Sequence, residues 1–168
     1  SHNEGNGAHE ITVNGGKISD IKPAARTLGT TIELRDLFYA TPARLKFLRS
    51  TKSELKAITD TVKGLSISTP NVAFTLIDKT GGKSRKILQF QKEKDVSLAS
   101  IKNRLSRVLG QDFSKNSISI DVTREDVNLT GYVCLPTYAR ASNAMQYFFV
   151  NSRQVRDKQL IGALRAAY

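Results

Sequence analysis

Apolar and polar positions change their period several times along this chain, and each change marks an element. Near the start, a short strand is predicted over residues 9–13, a hairpin turn at Asn14-Gly15-Gly16, and a returning strand over 17–22 that carries Ile18 and Ile21. Residues 1–7 read as a frayed entry and 23–28 as a loop. Ile32 and Leu34 alternate with Glu33 and Arg35, which predicts a third strand over 31–37 completing a small antiparallel group. From Ala43 to Leu48 the period becomes helical. The switch falls at Thr41-Pro42, where the Thr hydroxyl can cap the following N–H groups and Pro arrives with its φ already set.

A second helix is predicted from residue 51. Thr51-Lys52-Ser53-Glu54 has capping-box spacing, and Leu55, Ile58, Val62 and Leu65 form one apolar stripe that residues 66–70 bring to an end. Val72, Phe74 and Leu76 alternate, Lys79-Thr80-Gly81-Gly82 supplies a turn, and residues 85–90 return as the second arm of a hairpin. After a charged connection over 91–95, Leu98, Ile101, Leu105, Val108 and Leu109 form a helical stripe that Gly110 is placed to terminate. Lys102, Arg104 and Arg107 fall on the other face, where their charges are expected to solvate the helix. Ile118, Ile120 and Val122, then Val127, Leu129, Gly131, Val133 and Leu135, alternate on either side of a turn near Arg124-Glu125-Asp126 and should pair antiparallel. A loop over 136–144 leads to the apolar and aromatic run 146–150, expected as a central strand buried on both faces. A tight turn and a final helix follow, with Leu160, Ile161 and Leu164 as the helix's apolar side.

Composition adds a partner class. An apolar content of 39%, with seven Phe and five Tyr, is enough for a core and excludes wholesale disorder. No apolar run approaches the ~20 residues of a membrane span and no signal-peptide pattern is present, so a soluble, intracellular protein is expected. Twenty-six Lys and Arg against fifteen Asp and Glu give a net charge of +11 and a pI near 10.0. Such a chain is drawn to polyanions, unless the charge only solvates its surface. The lone Cys134 lies in the apolar string Tyr132-Val133-Cys134-Leu135 and reads as a buried structural thiol. One Cys with His2 and His9 matches no structural zinc pattern, and Glu33, Asp36 and Glu54 offer no acid–base pair.

Arg153, Arg156, Lys158 and Arg165 put four positive charges into thirteen residues, with Asp157 the one acidic neighbour. Lys158 and Arg165 are seven apart and so share a helix face, and Arg153 and Arg156 lie in the turn before it. Long flexible cations suit phosphodiester contacts, which need charge and reach but no base-edge geometry. A solvated basic face is the other reading of the same residues. Arg44, Lys46 and Arg49 read as surface charges, and Gly29-Thr30 as a tight turn opening a strand.

Longer strings in the chain are more specific. Gly29-Thr30-Thr31, then Asp36-Leu37-Phe38-Tyr39, then Thr41-Pro42-Ala43-Arg44 and Lys46-Phe47-Leu48 closely resemble the mismatch-repair ATPases of the MutL family. Phe149-Val150-Asn151-Ser152-Arg153-Gln154-Val155-Arg156-Asp157 is similar to that family's Phe-Val-Asn-x-Arg-x-Val-Arg-Asp pattern, so the resemblance spans nearly the whole chain. Ala40 stands where many members have Asn, and Ser152 where Gly is common, which would restrict the turn if that position needs a positive φ.

The resemblance implies an α+β fold. Residues 1–50 would be the terminal antiparallel strands of a GHKL-type ATPase domain with a linker helix. Residues 51–168 would be a mixed-sheet α/β second domain resembling the gyrase B transducer, truncated before its end. The catalytic Glu, the Mg-binding Asn, the adenine motif and the lid would lie before Ser1, so this piece is not expected to be an enzyme, although its parent would be a slow ATPase using ATP and Mg. Gly29 and Thr30 would form the last nucleotide-site motif. The position of Lys158 would be part of a DNA-binding groove, which favours DNA contact for Arg153, Arg156, Lys158 and Arg165. The implied job is to hold double- and single-stranded DNA without regard to sequence. It would also transmit ATP-dependent closure of a homodimer that works with a MutS-like mismatch sensor and a downstream nuclease or helicase, in the cytoplasm and near the bacterial nucleoid. Two other readings are a type II topoisomerase transducer, against which the string from Thr41 to Leu48 argues, and a ribosomal or RNA-binding α/β module.

Overall fold

Each strand pairs with one antiparallel partner close to it in sequence in the computed structural model, which describes residues 7–138 and 145–167. The expected frayed entry and most of the expected 136–144 loop therefore lie outside the described residues. The chain divides into two units, Ser1–Ser50 and Thr51–Tyr168.

In the first unit the predicted hairpin is present but interrupted. Strands β2 (Val13–Asn14) and β3 (Lys17–Ile18) pair across Gly15 and Gly16, both at positive φ (55° and 83°), as a two-residue turn of matching twist requires. Strands β1 (Ala8–Glu10) and β4 (Lys22–Ala24) pair outside them. The third strand expected over 31–37 is not formed. Its alternation buries no face, since Ile32 is 90% and Leu34 75% exposed. An extended segment becomes a strand only when a neighbour takes up its N–H and C=O groups, and no strand among the described residues pairs with 31–37. The chain turns instead through Asp36 and Phe38 at φ 49° and 69°. The helix after Pro42 is a 3-10 helix, Pro42–Phe47. Pro42 opens it as expected, but Thr41 caps it through its carbonyl, which accepts from the Arg44 amide at 2.9 Å, and not through its hydroxyl.

The second unit runs α1 (Thr51–Ser68), β5 (Phe74–Asp78), β6 (Arg85–Phe90), α2 (Leu98–Leu109), α3 (Gln111–Lys115), β7 (Ser117–Arg124), β8 (Val127–Cys134), β9 (Phe148–Val150), β10 (Arg153–Val155) and α4 (Lys158–Ala166). The β5–β6 and β7–β8 hairpins have the predicted turns. Ile67, Phe90, Leu105, Val108 and Phe113 form the core, with Phe74, Leu88, Tyr132, Cys134 and Phe149 packed against it. Each such aliphatic or aromatic side chain contributes about 1.5–3 kcal/mol when fully buried.

Three expectations shift. The stripe on α1 is rotated: Gly64, Ser66 and Ile67 are buried, whereas Ile58 and Leu65 are about half exposed, because only the last turns of α1 reach the core. Among the described residues strand β9 is not central; it pairs there with β10 alone, and Phe148 and Phe149 are half-buried. In the β7–β8 hairpin it is Tyr132 and Cys134 that turn to the core, while Ile118, Val122, Val127 and Leu129 of the other face stay exposed. The Tyr132 hydroxyl anchors this hairpin by donating to the Leu98 carbonyl at 2.9 Å.

The largest correction concerns α2, whose polar face was expected only to meet water. Arg104 is fully buried. Its Nη1 donates to Ser66 O (3.1 Å), and its Nη2 to Pro70 O (2.7 Å), Val72 O (2.9 Å) and Gln91 O (2.8 Å). The guanidinium lies 5.5 Å from the Phe90 ring centre, and Nε is 3.8 Å from Glu93 Oε1, itself 3.1 Å from Arg107 Nη1. Burial pulls the pKa of Arg104 down, Glu93 pushes it up and Arg107 lowers it again; a guanidinium stays charged through such a contest. Lys102 is also occupied, with its ammonium 5.9 Å from the Tyr132 ring centre. Each of the three cations on this face thus has a specific contact.

The start of α2 is fixed by a compact polar knot. Asp95 Oδ1 accepts from the Ser97 amide (3.0 Å), the Ser97 hydroxyl (2.6 Å) and the Ser100 hydroxyl (2.6 Å), while Ser97 Oγ accepts from the Ser100 amide. These bonds, the Ser100 hydroxyl's foremost, lower the Asp95 pKa from 3.8 to about 2.

Two outcomes follow. Arg104→Ala is expected to cost about 3–5 kcal/mol in urea unfolding, because it takes the buried donor from the Ser66, Val72 and Gln91 carbonyls and leaves the buried Glu93 with Arg107 as its one cation partner among the described residues, whereas Arg107→Ala, half exposed, should cost less. For Asp95 the folded pKa is depressed, so its stabilisation is complete above the ordinary carboxylate pKa and is lost as pH falls through about 2. A carboxyl-carbon NMR titration with its midpoint near 3.8 would contradict the knot.

Candidate nucleic-acid interface

The predicted cations sit on one continuous piece of chain: Arg153 opens β10, Arg156 lies in the link that follows, and Lys158 and Arg165 stand at the start and in the last turn of α4. The turn that precedes them is built from two left-handed residues, Asn151 (φ 48°) and Ser152 (φ 64°), which join β9 to β10 with Val150 opposite Arg153. A two-residue turn with both φ values positive is the one whose twist suits a hairpin. Asn tolerates this conformation, but Ser does so at a cost. The position of Ser152 therefore does need a positive φ.

Beyond β10 the chain enters α4 at Asp157, whose Oδ1 accepts from the Gln159 amide (2.8 Å) and the Leu160 amide (2.9 Å). Asp157 is thus the helix N-cap, and its charge is spent on two amides that would otherwise lack partners. Arg153, Arg156, Lys158 and Arg165 are all exposed. Among the described residues, no ion pair engages Arg153, Arg156 or Lys158. Lys158 opens α4 and Arg165 lies in its last turn, so the predicted helix face exists, and Leu164 and Ile161 are its half-buried side.

Facing Arg156 is the middle of α1. Ala57, Asp60 and Thr61 of α1, with Gln154 and Arg156, line a cavity of about 380 Å³. The Tyr147 hydroxyl feels the same groups: its pKa is raised mainly by burial, then by Asp60, and is drawn down by Arg156. Sequence reading did not single out α1 as the neighbour of the basic segment, and the one signal that could have done so is Gly64, a mid-helix glycine.

The other predicted residues lie in the first unit. Gly29 has φ 118° and takes part in a β-bridge, and among the described residues no atom stands within 4 Å of where a side chain would begin; Thr30 is exposed. Arg44 and Lys46 are exposed on the 3-10 helix, as expected of surface charges. Cys134 is half-buried against the core. Among the described residues no His, Cys, Asp and Glu side chains gather as a metal site, and no helix is long and apolar enough to cross a membrane.

Comparison with known proteins adds the family. A family described as "DNA mismatch repair protein, C-terminal domain" matches residues 105–168. The chain is 48% identical over 162 residues to the DNA mismatch repair protein MutL of Rhizobium leguminosarum bv. trifolii strain WSM2304, covering 96% of this chain and 26% of that protein. It is 49% identical to the MutL of Rhizobium etli strain CIAT 652, covering 96% and 25%. The chain thus spans about a quarter of the length of these relatives. Among solved structures it is similar to the Aquifex aeolicus MutL ATPase domain complexed with ADP, with a TM-score of 0.70 at 25% identity over 95% of this chain and 57% of that one. The fold is shared too with the N-terminal domain of a DNA repair protein, with a TM-score of 0.73 at 22% identity over 92% and 50%.

Because Ser152 holds a glycine-type conformation, Ser152→Gly should stabilise the chain by about 1 kcal/mol. Thermal unfolding checks this, and a lower melting temperature would mean that the Ser side chain contributes a contact of its own.

Proposed function

Because the chain belongs to the MutL family of DNA mismatch repair proteins, we propose that its second unit holds DNA without regard to sequence, through Arg153, Arg156, Lys158 and Arg165. The observation that carries this reading is the state of those side chains: all are exposed, and Arg153, Arg156 and Lys158 are engaged by no carboxylate among the described residues. The acidic residue in their midst, Asp157, is turned back onto the backbone of α4. Cations left unneutralised along one segment release counterions when phosphates replace those ions, and that release favours binding to single or double strands alike.

Within the intact protein, this unit transmits ATP-dependent closure of a homodimer to the DNA it holds, and so links a MutS-like mismatch sensor to a downstream nuclease or helicase in the cytoplasm. Gly29 and Thr30 supply one edge of the nucleotide site. The absence of a side chain at Gly29 and the exposed Thr30 suit that role, since a ligand can approach closely on that side and a hydroxyl can donate to a phosphate. Bound ATP with Mg would supply the phosphoryl chemistry; these two residues would only bind and orient it.

The test is a salt titration of duplex binding, read by fluorescence anisotropy. Four phosphate contacts predict a log–log slope of about −3 to −4, indifferent to sequence. Lys158→Glu should weaken every duplex alike and flatten the slope by about one contact. Arg124→Glu, an exposed cation at the tip of β7, is the control of equal charge change. Equal losses in the two variants would reduce the effect to net charge and remove the assigned site.

A further inference from the structure

A glycine in the middle of a helix costs about 1 kcal/mol relative to Ala, so its presence calls for a packing reason. Gly64 lies in the fourth turn of α1, and it is buried. A Cβ built there would run into the carboxamide of Gln154, with its Cδ at 2.7 Å and Nε2 at 3.3 Å and Oε1 nearer still. Gln154 is the middle residue of β10, paired with Phe149. Its amide, the end of a flexible side chain on an otherwise exposed residue, therefore rests against the helix backbone where an added Cβ would push it aside. Side chains two apart on a strand share a face, so Gln154 and Arg156 both turn toward α1. The cavity lined by Ala57, Asp60 and Thr61 meets these same two residues one to two helical turns before Gly64.

We infer that Gln154 seated on Gly64 is the positioning contact that sets the register of β10 along α1, and thereby the stance of Arg153, Arg156 and the Lys158 end of α4 toward DNA. This rests on the proposal that these cations bind DNA. Beside this seat, β10 faces α1 across an open polar cavity, where Asp60 and Arg156 both line the wall with no ion pair between them among the described residues. With the seat, a cation with a flexible stem is attached to a fixed strand.

The experiment compares Gly64→Ala, Gln154→Ala and the double variant in the full chain, by salt-dependent anisotropy on duplex DNA and by thermal unfolding. In Gly64→Ala the amide is expelled, so duplex affinity should fall about five- to tenfold, a coupling of the usual size for residues in contact. The salt slope should flatten by about one contact, since a displaced cation no longer releases its counterion. A variant that merely unfolds in part would lose active protein but keep the native slope. In the double variant the new methyl occupies the vacated seat, and affinity should return to within about twofold of the native chain. Gly64→Ala with native affinity and slope, or a double variant as weak as the single, would overturn the inference. If Lys158→Glu also leaves binding unchanged, the DNA reading beneath it fails; if Lys158→Glu weakens binding and Gly64→Ala does not, the seat alone is wrong.

Discussion

One guanidinium organises the second unit. Arg104 reaches from α2 into a place where the chain leaves α1, enters β5 and leaves β6, and at each point it supplies a donor to a carbonyl. The end of a helix always strands carbonyls of this kind, and a buried acceptor left unpaired costs about 1–3 kcal/mol. Four carbonyls answered by one planar group with five donors is an economical solution, and Lys, with three donors on a point charge, could not reproduce it. The charge is neutralised from the side by Glu93, whose own amide donates to the Pro70 carbonyl at 2.8 Å, so ligand and counter-ion are tied into the same loop. The hydrophobic core closes around this arrangement, with Phe90 beneath the guanidinium and Ile67 on the turn of α1 that it caps.

That dependence explains what could and could not be read from the chain. The β5–β6 and β7–β8 hairpins and α2 were legible because their signals are local: alternation, turn residues, and a helical stripe ended by Gly110. The burial of Arg104 was not, because a cation on the polar face of an amphipathic helix looks the same whether water or four carbonyls receive it. The pattern at residues 31–37 misled for the opposite reason. Alternating Ile32 and Leu34 fit a strand, but a strand is a relation between two segments, and the partner is not a property of the string. The stripe on α1 was correct in period and wrong in phase, since Gly64, which marks the buried side, carries no hydrophobic signal.

The candidate site was legible as a set of charges, and its mechanical basis was not. Arg153, Arg156, Lys158 and Arg165 are visible in the sequence as a cluster, and a resemblance to the family singled out Lys158. What positions them is written in residues with no charge to attract notice: Asn151 and Ser152 in left-handed conformations, and Gln154 on Gly64. Asp157 looked like a diluting negative charge and is in fact the cap that starts the helix at Lys158. A carboxylate that receives two amides at a helix N-terminus opposes its cationic neighbours less than one pointing into solvent, because its field is largely answered by the helix itself.

The same reasoning limits what a net charge of +11 can mean. Arg35 is paired with Glu33 at 2.8 Å and Arg85 with Asp78 at 3.1 Å; Arg104 and Arg107 share Glu93, Lys86 donates to Gln89 and Lys102 rests over Tyr132. Exposed pairs of the first kind contribute little to stability, under ~1 kcal/mol each, but they do decide where a polyanion finds charge that is not already answered. A phosphate backbone competing for Arg85 must displace Asp78, and one competing for Arg104 must open the core. At Arg153, Arg156 and Lys158 it displaces only counterions. Affinity for DNA should therefore follow the places where unengaged cations are brought together on one segment, and the total basicity of the chain is a poor guide to where those are.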